Sequence, residues 1–96
     1  MRRAAKIDAN QVDIVTALRK AGATVQSLAA IGAGCPDLLV GYKGVNYLME
    51  VKDGSKPPSG RKLTPDQVEW LGKWKGAAVT ITTIDGAIEV INEKSN

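Results

Sequence analysis

Residues 34–52 read GCPDLLVGYKGVNYLMEVK. Two apolar runs of strand length, DLLVGY and NYLMEVK, flank Lys43 and Gly44, the mark of a β-hairpin. Strands want few charges, yet Asp37 stands at the mouth of the first and Glu50 and Lys52 lie inside the second. Side chains alternate along a strand, so Glu50 and Lys52 share one face and Met49 and Val51 the other. A buried charge without a partner costs several kcal/mol, so this pair belongs in a cleft rather than a dry core.

Outward from the hairpin, helical spacing of Ile7, Ile14, Val15 and Leu18 predicts a first helix ending at Ala21, with Gly22 beyond it. TVQSLAA, residues 24–30, predicts a strand, and residues 32–36 a turn. DGSKPPSGRK, residues 53–62, is a polar, basic loop that its prolines and glycines should keep irregular. LTPDQVEWLGKW opens a second helix: Thr64 caps it, Pro65 fits the first position and Gln67 completes a capping box. AAVTITTI predicts a β-branched strand, and DGAIEVINEK a closing helix capped by Asp85. The fold class is therefore α/β, a central mixed sheet flanked by helices, with residues 1–96 as one domain.

Composition narrows the chemistry. With no histidine and a single cysteine, Cys35, the chain excludes His-based triads and thiolate zinc sites, so any metal must be a hard cation held by oxygens. Cys35 reads as a small turn residue, since no general base accompanies it. No apolar run approaches the roughly 20 residues that span a bilayer. The opening MRRAAKIDANQ lacks the apolar centre of a secretory signal, and the expected location is cytoplasmic. Net charge is +3, but residues 1–20 and 41–62 each hold five basic and two acidic side chains, whereas residues 63–96 hold three and five. A basic front suits a polyanion.

Two carboxylates, Asp37 and Glu50, can together hold one divalent ion, with Lys52 beside them to orient water or neutralise phosphate charge. Those parts suit metal-assisted phosphodiester hydrolysis. Plainer roles exist for each: Asp37 as a turn residue after Pro36, Glu50 and Lys52 as an exposed edge-strand pair, Gln67 as a cap alone. Trp70 and Trp74 read as a core stripe. Lys56, Arg61 and Lys62, with Arg2, Arg3 and Lys6 at the start, are candidate contacts to a nucleic-acid backbone.

The dipeptide PD at 36–37 with E-x-K at 50–52 resembles the PD-(D/E)xK nuclease superfamily, and the element order resembles its αβββαβ, restriction-endonuclease-like core. The Gly-x-Pro-Asp turn at 34–37 and the T-P-D-Q helix opening at 64–67 look like the VRR-NUC branch, the virus-type replication-repair nuclease domain. That branch includes small stand-alone phage and bacterial proteins. The resemblance implies a Mg²⁺- or Mn²⁺-dependent DNA endonuclease for branched DNA, with four-way (Holliday) junctions cut by a homodimer, and flap or linear-duplex cutting or non-catalytic binding as alternatives. It implies Asp37, Glu50 and the Val51 carbonyl as metal ligands, Lys52 as the catalytic lysine and Gln67 as a residue arranging the site. The family also draws an acidic or amide residue from its first helix. Here no glutamate occurs before residue 50, and Gln11, interrupting the apolar stripe, is the candidate, with Asp8 on the same flank. A dimer surface near Leu28–Ile31 is a further expectation.

Overall fold

In the computed structural model, which describes residues 7–94, three helices surround a four-stranded sheet. Helix α1 (Gln11–Lys20) leads into β1 (Thr24–Ser27), β2 (Leu38–Tyr42) and β3 (Val45–Val51). Helix α2 (Pro65–Lys73), β4 (Ala78–Ile81) and α3 (Ile84–Lys94) follow. The strands lie in the order β1-β2-β3-β4; the first three are antiparallel and β4 runs parallel to β3, so the sheet is mixed. No helix among the described residues is long and apolar enough to cross a membrane.

Local chemistry sets the turns. Lys43 and Gly44 have φ of 49° and 80° and join Tyr42 to Val45, the two-residue turn whose twist matches a hairpin. Gly22, at φ 100°, closes α1: its N–H bonds to Arg19 and that of Ala23 to Leu18, a Schellman ending. The capping box of α2 forms as expected, Thr64 Oγ1 accepting from Gln67 N at 3.2 Å and Gln67 Oε1 from Thr64 N at 2.9 Å.

Four boundaries differ from the expectation. Helix α1 starts at Gln11 rather than Ile7, because residues 8–10 form a turn in which Gln11 N bonds to Asp8 O; Ile7 is exposed. Strand β1 stops at Ser27, whose hydroxyl accepts from Ala29 N and bends the chain off the sheet. The basic loop contains a 3-10 turn, Pro58–Arg61, since proline presets the φ it needs and Gly60 N closes onto Pro57 O. Thr83 rather than Asp85 caps α3: its hydroxyl accepts from Gly86 N at 3.0 Å, leaving Asp85 in the first turn.

Alternation divides the sheet. Leu38, Val40, Tyr47, Met49, Val51 and Ile81 face one way and bury against Ile14 and Leu18 of α1 and Ala87 and Ile91 of α3. Leu39, Leu48, Glu50 and Lys52 face the other way, toward the loop 28–36 and α2. The cross-over of that loop depends on Gly34, at φ 85°, where a Cβ would run into the Asp66 carbonyl of α2. At Gly44, by contrast, a Cβ meets nothing within 4 Å. In urea melts Gly34→Ala should therefore cost roughly 2–4 kcal/mol, and Gly44→Ala only about 1 kcal/mol from its backbone conformation. Equal losses would show that loop and helix need not touch.

Candidate active site

Asp37 enters β2 beside the C-terminal end of β3, and its Oδ2 accepts a hydrogen bond from Val51 N at 2.7 Å. It is thus committed to the neighbouring strand and not to a local turn. Glu50 projects from β3 within hydrogen-bonding reach of the Asp37 carboxyl. Asp37 is 5% exposed and Glu50 2%, on a strand paired on both sides. Burial, the Asp37 charge and the contact with its carboxyl push Glu50 up to about 8, against an opposing pull from Lys52. Burial raises Asp37 too, although its bond from Val51 N holds it back. Burial and like charge thus favour a shared proton on the pair when no cation is present.

Lys52, one residue past the end of β3 and 9% exposed, lies on the same face as Glu50. The exposed edge-strand reading of Glu50 and Lys52 therefore fails. Lys52 Nζ donates to Gln67 Oε1 at 2.8 Å and sits 3.8 Å from Glu50 Oε2. Gln67 Nε2 donates to the same Glu50 oxygen at 3.0 Å. One amide therefore completes the capping box of α2 and ties the helix to both charges of the strand. Its two donors, Thr64 N–H and the Lys52 ammonium, fix which side carries the oxygen.

Gln11 comes from the first turn of α1. It is 5% exposed and no donor reaches its Oε1; Glu50 Oε1 is likewise buried with no hydrogen-bond partner. Each of these buried oxygens calls for a proton, a water or a cation. Asp8 lies farther out, where its charge raises both Asp37 and Glu50 while Lys56 Nζ approaches it to 3.6 Å. Lys52 N bonds to Ile81 O in β4. The N–H and C=O of Val51 consequently point to the opposite, Asp37 side.

Among the described residues no three histidine, cysteine, aspartate or glutamate side chains gather as a metal cage. Two carboxylates with neutral oxygens around them still fit Mg²⁺ or Mn²⁺, hard ions that often take one or two carboxylates and keep several waters. Asp37, Glu50 and the Val51 carbonyl would be the donor set.

The candidate cationic contacts divide. Lys56 and Lys62 are exposed and Arg61 half-buried, all on the loop that leaves β3 directly after Lys52. Arg2, Arg3 and Lys6 lie outside the described residues. Trp70 and Trp74 are not core: α2 buries no residue, Trp74 is 47% exposed, and the two rings stack on each other with centroids 4.6 Å apart. The sheet face beneath the start of α2 is occupied by Glu50 and Lys52, which leaves the helix no deep apolar seat. Cys35 is half-buried, its thiol pushed up by burial and by the Glu50 and Asp37 charges. A raised thiol disfavours the thiolate. Asn10, unassigned by the sequence, donates to the main chain of Lys52. An asparagine before a helix reads as a cap, so nothing in the sequence marks this use. The chain matches no protein-family model, no curated protein and no solved structure.

Proposed function

We propose that this protein is a Mg²⁺- or Mn²⁺-dependent DNA endonuclease of the PD-(D/E)xK kind, built on a restriction-endonuclease-like core of VRR-NUC type. Branched DNA, and four-way junctions first, is the substrate. One observation carries the reading: two carboxyls buried against each other at the mouth of the sheet, backed by a lysine and a glutamine on the same face. Packing gives no reason to bury such a pair, because desolvating charge beside like charge destabilises a fold. A binding site for a cation and a phosphodiester does.

The residues divide the work. Asp37 and Glu50 hold the ion, and the Val51 carbonyl adds a neutral oxygen. The ion supplies Lewis acidity toward water and the scissile phosphate. Lys52 brings positive charge to the phosphate as it gains negative charge in the transition state. Gln67 keeps that ammonium and the Glu50 carboxylate in register, and Gln11 Oε1 offers an acceptor for a water proton. Lys56, Arg61 and Lys62, on the loop beside the site, grip the DNA backbone, which favours recognition by shape over sequence.

A twofold substrate suits a twofold protein. Beside the site, Leu28, Ile31, Leu39, Leu48, Trp70 and Trp74 line an open groove of about 580 Å³ with no charged lining residue. A copy of the chain can meet this face without like charges opposing each other, and we place the dimer there. The deciding experiment is cleavage of labelled four-way junction, 5′ flap and linear duplex with Mg²⁺, Mn²⁺ or EDTA. Paired, metal-dependent cuts in the junction are expected. Cuts confined to flap or duplex keep the chemistry and remove the junction proposal, and tight binding with no cutting at all leaves a nucleic-acid-binding module.

A further inference from the structure

Asn10 holds the N-cap position of α1, yet its side chain makes no capping bond. Its Nδ2 donates instead to two main-chain carbonyls, Lys52 O at 3.1 Å and Thr82 O at 3.2 Å. Those carbonyls belong to the ends of adjacent parallel strands. The β3–β4 register stops at Val51 opposite Ile81, after which Lys52 N bonds to Ile81 O at 2.9 Å and Gly54 N to Thr82 O at 3.2 Å. From there one chain leaves for the basic loop and the other for the Thr83 cap of α3. The Asn10 amide joins them where the ladder is ending.

Lys52 is consequently held at three points: its N–H by Ile81, its C=O by Asn10 and its ammonium by Gln67. A lysine stem has several free rotors, so a twist of the Lys52 backbone would swing the ammonium away from Glu50. We propose that Asn10 is a positioning residue for Lys52, fixing the strand end from which the ammonium reaches Gln67 and Glu50. Its two donors are used while its buried Oδ1 receives no hydrogen bond, so the donating side of the amide is what the strands require. The role of Lys52 in cleavage rests on the function proposed above, whereas its anchoring by Asn10 does not.

Asn10→Asp keeps the shape but, ionised, offers no donor; Asn10→Ser keeps one. The direct readout is the rate of amine acylation at Lys52, by peptide mass spectrometry, relative to exposed Lys62. Amide hydrogen exchange at Val40 and Met49 reports the core. In Asn10→Asp, Lys52 should label about tenfold faster relative to Lys62 with core exchange unchanged, and Asn10→Ser should fall between. Unchanged Lys52 labelling overturns the proposal, as does labelling that rises only in step with core exchange, which marks a merely structural role. If the wild type cuts DNA, Asn10→Asp and Lys52→Ala should be non-additive in rate, because one acts through the other. A wild type that cuts nothing counts against the nuclease reading alone, since the labelling result decides the Asn10 claim independently.

Discussion

Asp37→Asn is expected to abolish metal-dependent DNA cleavage, by at least about a thousandfold, while leaving the fold intact. The two effects separate because the residue has two jobs. Structurally, one oxygen accepts the Val51 N–H at 2.7 Å, and the asparagine oxygen accepts that bond equally well. Electrically, the carboxylate is half of the charge available to a divalent ion from the buried pair. Removing it also removes a source of the upward push on Glu50, so melting without metal should be unchanged or slightly higher. Calorimetric titration with Mn²⁺ should show binding weakened beyond detection. Lys52→Ala should give the complementary result, with Mn²⁺ still bound and cleavage lost, because the role proposed for the lysine is toward the phosphate and not as a ligand. Cleavage by Asp37→Asn within tenfold of wild type would mean that the carboxyl pair is not the seat of the ion.

The parts of this protein legible in its sequence are those fixed by neighbours along the chain. Alternation put Glu50 and Lys52 on one face, and the threonine-proline opening with Gln67 three residues after Thr64 defined the start of α2. Sequence leaves open whether Gln67 serves the cap or the site; in the fold it makes the cap and also bonds to Lys52 and Glu50. What escaped depended on contacts far apart in sequence. Asn10 reaches across 42 and 72 residues to the strand ends. Trp70 and Trp74 follow a helical apolar period, yet that period does not reveal that the underlying sheet face is polar where α2 begins. Ile7 belongs to the same apolar stripe on paper, but the turn at residues 8–10 starts the helix after it. Gln11, in contrast, was readable as inward-facing because it broke that stripe, and it is buried with its oxygen unclaimed.

Glu50→Gln should have opposite effects on activity and stability, and pH exposes the reason. In the folded protein Glu50 titrates at about 8, above its ordinary value of 4.5. Its raised value means that the folded state keeps a proton that the unfolded chain has lost. Stability is therefore fully present below pH 4.5 and drains away as pH rises through 8. The loss runs at up to about 1.4 kcal/mol per pH unit. Asp37, also raised, acts in the same direction at the acid end. A glutamine at position 50 carries no charge to desolvate, can accept from Gln67 Nε2 with its oxygen, and can offer the Asp37 carboxylate an N–H where the proton had been. Urea melts in EDTA should show the wild type weakening between about pH 5 and pH 8, with Glu50→Gln nearly flat and the more stable protein at the upper end. Saturating Mg²⁺ should restore the wild type by about 2.7 kcal/mol at a hundredfold excess over Kd, and should do far less for the variant. An ion that displaces this proton should bind more tightly as pH rises until Glu50 is ionised, and cleavage should rise with it. A wild type whose melts in EDTA are flat across this range would mean that Glu50 is ionised throughout. The carboxyls would then share no proton, and the site would hold two charges that something else in the fold neutralises.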